Sequence, residues 1–295
     1  MSNPGVGFKR MVVGLPQGLA NQAAVDATAD LAEFLHIELL ATFIADATLP
    51  TLAGLSAVRE LRALDQGWQA IDRAQITRDI DRAISVARRR FVESVRSRAM
   101  KTSFDVLTGA EAIAALIRAD DIVAVIEPAH PGERITRQFT GLLGAAFEMA
   151  GAVLVVPRRI ARATGPIVTA ASESEDAGID AALQIAAAFK EHLIIVTAAG
   201  TRPPLKVLAD AEQLGVQVEH IAGSGPLADA SSLAGSARFR ERLRVLSRSV
   251  LTDDAGRLFS SLRGIPLLLI EPGRVATRAA EQKTKDDRNA GRSKD

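Results

Sequence analysis

The chain has 295 residues, 47% of them hydrophobic, and a formal charge of +1 at neutral pH. This is apolar material for roughly two domains of 100 to 200 residues, and the balanced charge excludes a global field drawing the chain onto nucleic acid or an anionic bilayer. With no cysteine present, disulfides, thiolate metal sites and a thiol nucleophile are excluded together.

The first segment, MSNPGVGFKR, has no apolar run of signal-peptide type. No stretch approaches the ~18 uninterrupted apolar residues of a membrane span, so a cytoplasmic protein is expected. RMVVGL reads as a parallel strand covered on both faces. Ala24, Ala27, Ala29, Leu31 and Phe34 then recur near helical spacing, predicting a helix from Asn21 to Leu35 with Asn21 as its N-cap. ELLATFI is the next strand. Pro50 and Gly54 interrupt, and the Arg- and Ala-rich stretch from Val58 to Met100 predicts one long amphipathic helix, with room for a short one ahead of it. TSFDVLTG is a strand closing at Gly109, EAIAALIRA a short helix and DDIVAVIEP a fourth strand. A further amphipathic helix leads to GAVLVVP, Gly151 to Pro157.

After a short connection, Arg158 to Pro166, the plan repeats: GPIVTAAS, a helix from Asp176 to Phe189, HLIIVTAAG, a helix from Leu205 to Leu214, and VQVEHIAG. Leu227 to Arg242 is read as a helix and LRVLSRSVL as the fourth strand. Asp253 and Asp254 then cap a helix that leads to GIPLLLIEP, Gly264 to Pro272. The period is roughly 140 residues, so the repeated unit is a domain and not a solenoid turn. Two tandem α/β domains are expected, 1–157 and a shorter, divergent 165–272, followed by a charged, aperiodic tail over 273–295 that reads as disordered. Alternating strands and helices imply a doubly wound, mostly parallel five-stranded sheet in each domain. Ligands of such sheets bind beyond the carboxyl ends of the strands.

The element order, and the passage TSFDVLTGAEAIAALIRADDIVAVIEP from Thr102 to Pro128 above all, resembles the universal stress protein family, of adenine nucleotide alpha hydrolase-like fold. Gly109, Ile113, Asp120 and Asp121 stand where that family ends its third strand, starts a short helix and introduces its fourth strand. The resemblance covers residues 9 to 157 well and 165 to 272 more weakly, and it implies a tandem member. It implies further that the final strands, VLVV and LLLI, meet across a pseudo-twofold axis, so that one chain builds as a pseudo-dimer what single-domain relatives build from two. A homodimer of the whole chain is the other pairing it allows.

Nucleotide-binding members carry a loop of the form G, two residues, G, nine residues, G, then Ser or Thr, in which glycines let backbone amides approach phosphates at a helix N-terminus. Aligned on GAVLVV, those positions fall at Ile126, Ala129, Phe139 and Thr140, and only Thr140 matches. The acidic residue that follows the family's first strand falls near Pro16, and near Ser172 in the second half. In the second half LSRSVLTDDAGR sets two aspartates where phosphate would lie, and they would repel it. The leading expectation is therefore a non-enzymatic stress-response protein that regulates or binds an unidentified protein partner, with the family's ATP site lost and no cofactor. The alternative is an adenine-nucleotide-binding protein with a degenerate first-half site made of Gly14, Gly109, Gly132, Arg134, Arg137 and Thr140.

Other chemistry is weakly signalled. His36, His130, His192 and His220 have no metal-ligand spacing, so no metal site is expected. His130, Glu133, Arg134 and Arg137 share one loop, where the two arginines could clamp an anion. Asp120 and Asp121 read as a strand-start turn, and Gly223 and Gly225 as a turn with phosphate-nest potential. The basic run Arg88, Arg89, Arg90, Arg96, Arg98 and Lys101 reads as a solvated helix face, because aromatic residues are only 4% of the chain and nucleic-acid binding would need stacking platforms. No nucleophile elbow, Walker loop or dinucleotide fingerprint is present.

Overall fold

A computed structural model describes residues 7–15, 22–45, 48–55, 57–61, 67–109, 111–128, 132, 136–171, 177–197, 200–222, 239–248 and 264–271. The first half runs β1 (Arg10–Leu15), α1 (Gln22–Phe34), β2 (Glu38–Ala45), α2 (Thr48–Ala53), β3 (Arg59–Leu61), β4 (Trp68–Ala70), α3 (Arg73–Val95), β5 (Thr102–Thr108), α4 (Glu111–Leu116), β6 (Asp121–Ile126), α5 (Arg137–Met149) and β7 (Ala152–Val156). The second runs β8 (Ile167–Ala171), α6 (Ala177–Phe189), β9 (Leu193–Thr197), α7 (Leu205–Leu214), β10 (Val218–Ala222), β11 (Leu243–Ser247) and β12 (Leu267–Ile270).

The two five-stranded sheets are one. Ten strands lie in the order β10-β9-β8-β11-β12-β7-β6-β1-β2-β5. Within each half of this sheet all pairs are parallel, with the half's first strand in the middle. Counting strands within each half, both read 3-2-1-4-5. The one antiparallel pair of this sheet among the described residues joins the halves: Val155 faces Leu267, Leu154 faces Leu268, Val153 faces Leu269 and Ala152 faces Ile270. VLVV and LLLI thus lie side by side, and every residue of both strands is buried.

Burial on both faces explains why the central strands read as continuous apolar runs. One face packs Val13, Leu154, Val156 and Val245 against α1, α3, α6 and α7. The opposite face packs Val12, Val123, Val125 and Val155 against α4 and α5 through Ile113, Leu142 and Ala146. The edge strands β5 and β10 are partly exposed.

Two expectations are corrected. The long helix begins at Arg73, not near Val58, because the Asp72 carboxylate accepts from the N–H groups of Ala74 and Gln75 and caps it. Ahead of it, residues 59–61 and 68–70 form the antiparallel hairpin β3–β4, and the short helix α2 contains Pro50 in its first turn, where a missing N–H costs no bond. The helix expected up to Arg242 does not reach that far: Arg240 has φ 51° and Arg242 donates its N–H to Pro166 O, already on the approach to β11. The rest of that expected helix, the one after Asp254, the N-cap Asn21 and the tail lie outside the described residues.

Candidate functional site

The strand ends gather the expected nucleotide residues only in part. Gly14 sits near the end of β1, between Thr42 of β2 and Val125 of β6. A Cβ there would stand 2.5 Å from Leu142 Cδ2 and 3.5 Å from Ile44 Cδ1, so the space beside this glycine is filled by α5. Gly109 ends β5 with φ 84°, donates to Ala45 O and has open space where a side chain would be. Gly132 is exposed and equally open. Arg134 lies outside the described residues; Arg137 opens α5, and its side chain is outside them too.

At the start of α5, Thr136 caps the helix by accepting from the Phe139 N–H at 3.4 Å. The Thr140 hydroxyl donates back to Thr136 O at 3.0 Å, an intrahelical bond one turn long. Phe139, at a position where the resemblance places a glycine, is half-buried against the core. Ile126, at the first glycine position, is 6% exposed. The next residue, Glu127, donates its N–H to Val156 O, which extends the β6–β7 ladder. Pro16, Ala129, His130, Glu133, Ser172, Gly223, Gly225, Asp253 and Asp254 lie outside the described residues.

The other candidates resolve into structural bonds. Asp121 is buried and takes a bidentate grip from Arg10, Nε to Oδ1 at 3.0 Å and Nη2 to Oδ2 at 2.6 Å, while Arg118 N–H also reaches Oδ2. That grip holds the Arg10 guanidinium more firmly protonated than usual, the hydrogen bond it donates to Asp121 outweighing the cost of burial. Of the basic run, Arg98 pairs with Asp30 at 2.6 Å, Lys101 with Glu38 at 3.2 Å, and Arg88 stacks 4.9 Å from the Phe104 centroid. His220 Nε2 lies 2.8 Å from Thr197 Oγ1. The threonine proton goes to Thr201 O, so the imidazole is the donor and cannot activate that hydroxyl as a base. Among the described residues no group of three or more His, Cys, Asp or Glu is placed to hold a metal, and no helix is long and apolar enough to cross a membrane.

The seam between the halves contains a grouping that the sequence reading missed. Phe34 at the end of α1 and Phe189 at the end of α6 touch, ring centroids 4.3 Å apart, and the Arg242 guanidinium lies 3.8 Å from the Phe189 centroid. Phe189 and Arg242 border a cavity also lined by Asp26 and Asp30 of α1 and by Arg162 after β7. A second arginine, Arg248, ties the seam elsewhere by donating to Phe147 O and to Glu271, the latter at 2.9 Å. One signal was available: with only ten phenylalanines in the chain, two of them end helices of equal length.

Neither a protein-family model nor a curated protein sequence matches the chain. Among solved structures, a universal stress protein from Archaeoglobus fulgidus matches with a TM-score of 0.57 at 11% identity, over 88% of this chain and 96% of that one. The cytoplasmic domain of a prokaryotic cation chloride cotransporter matches at 0.46 and 13% identity, over 92% and 99%. A universal stress protein in complex with cAMP matches at 0.32 and 14% identity, over 51% and 98%. The Archaeoglobus likeness shows that this chain has a universal stress protein fold.

Proposed function

We propose that this chain is a tandem universal stress protein-like protein of the stress response, cytoplasmic and non-enzymatic, which works by binding a protein partner. In this reading the nucleotide cradle has been converted into packing, and the two halves act as an internal pseudo-dimer. The observation that carries it is Ile126: at the position where the resemblance asks for an amide-exposing glycine stands a β-branched side chain that is 6% exposed. Phe139 against the core and Thr140 bonded within its own helix support it from the other end of the loop.

The test is to denature purified protein, quantify released adenine nucleotide against chain, and titrate ATP into the untreated protein by calorimetry. No nucleotide and no heat of binding are expected. About one nucleotide per chain, weakened by Thr140→Ala or Arg137→Ala, would instead establish the adenine-nucleotide-binding alternative, with Gly14, Gly109, Gly132, Arg134, Arg137 and Thr140 around the phosphates.

A further inference from the structure

The cavity at the seam is lined by none of the residues assigned to the nucleotide site, so a ligand there goes beyond the function proposed above and is tested separately from it. Its volume is about 340 Å³, in the range of small-molecule pockets. Most of the wall is apolar: Ala27 and Leu31 of α1, Leu154 and Val156 of β7, and Ile160. Such a wall removes water from an apolar ligand body and strengthens any charge pairing beside it.

Into this wall comes the half-buried side chain of Arg242. One face of its guanidinium is stacked on Phe189, and among the described residues its side chain has neither an ion pair nor a hydrogen bond. Burial lowers the pKa of Arg242, and the negative charges of Asp30 and Glu191 only partly oppose this. A desolvated guanidinium that retains its planar fork of N–H donors is matched best by a carboxylate or phosphate, taken bidentately.

The α1 wall chooses between those two anions. Asp26 and Asp30 lie one turn apart on α1 and border the same space. Asp30 is ion-paired with Arg98 at 2.6 Å, an arginine it shares with Glu33 at 3.7 Å, whereas the side-chain bond that Asp26 receives comes from the neutral Gln22 amide at 3.3 Å. A carboxylate so placed disfavours a dianion or a polyphosphate, while a single negative charge can sit on Arg242 with Arg162 at the rim.

We propose that this cavity binds a small monocarboxylate with an aryl or branched aliphatic body, its carboxylate on the Arg242 guanidinium and its body against Leu31, Leu154 and Val156. Because Arg242 belongs to the second half and α1 and β7 to the first, such a ligand bridges the halves. Occupancy would therefore be transmitted as stiffening of the seam.

The test uses the full chain and calorimetric titration with phenylacetate and 4-methylpentanoate, set against phenylacetamide and phenyl phosphate. Saturable binding of at least one carboxylate, one per chain, is expected, with the neutral amide and the phosphate weaker by about tenfold or more. Arg242→Met retains the stacked stem and removes the fork, and it should weaken the bound carboxylate by about tenfold or more. Ala27→Leu leaves every charge in place and fills the cavity, and it should abolish binding even if Arg242→Met proves unstable. The proposal is overturned if neither carboxylate saturates, if phenyl phosphate binds more tightly than both, or if Ala27→Leu binds as the unmodified chain does.

Discussion

Phe34 and Phe189 end two helices from opposite halves of the chain, and their rings meet at 4.3 Å with an interplanar angle of 49°. Arg242 lies over both, 3.8 Å from Phe189 and 5.7 Å from Phe34. The seam is therefore closed by an aromatic pair and a guanidinium on one helical layer, in addition to the β7–β12 ladder in the sheet.

The ring pair should have measurable coupling. In a double-mutant cycle of Phe34→Leu and Phe189→Leu, read by urea unfolding, an interaction energy of about 0.5–1.5 kcal/mol is expected. Strict additivity would mean that the contact contributes area and nothing specific.

Arg10 and Asp121 should behave as a buried ion pair, with side chains 12% and 1% exposed. Arg10→Met leaves a buried carboxylate whose remaining partner among the described residues is the Arg118 N–H, and a loss of about 3–5 kcal/mol is expected in chemical denaturation. Adding Asp121→Asn should recover much of that loss. A double variant as unstable as Arg10→Met would place the damage in packing and not in charge.

Three backbone positions should rank in a fixed order of stability. A Cβ at Gly151 would stand 2.4 Å from Ala119 O, which belongs to backbone and cannot swing away, so Gly151→Ala should cost about 1–3 kcal/mol. Gly14→Ala meets the end of the Leu142 side chain, which can rotate, and should cost less. Lys190 has φ 55° after α6, so Lys190→Gly relieves left-handed strain and should be neutral or stabilising by up to about 1 kcal/mol. Thermal midpoints of the three variants test the order, and Gly151→Ala melting with the unmodified chain would refute it.

One continuous sheet should make the halves unfold together. Leu154, 2% exposed and opposite Leu268, is buried by both halves, so Leu154→Ala should cost about 2–5 kcal/mol. In calorimetry the whole transition should move to lower temperature as one peak. Two peaks of which only one shifts would show that the halves are thermodynamically independent.

What the sequence alone determined was the set of buried strands and the repeat. RMVVGL, DDIVAVIEP, GAVLVVP and GIPLLLIEP read as strands because a strand covered on both faces needs apolar residues at every position, a local signal that needs no knowledge of neighbours. Helix α7 has the expected bounds, Leu205 to Leu214, since its periodicity is bracketed by Pro204 and by Gly215 in the left-handed region. The hairpin β3–β4 escaped that reading: its strands are three residues each, too short to carry a period, and helix-forming residues surround them. Only the tertiary structure decided the functional surroundings. Whether Gly14 offers open backbone or a packed one depends on Leu142, 128 positions later in the chain. Arg242 is one charged residue among many in sequence, and it becomes a half-buried one, without an ion pair among the described residues, because folding brings Phe34 and Phe189 against it and Leu154 into the same cavity wall. Burial and partner choice are set by residues distant along the chain, and these two quantities turn a charged or small side chain into a site.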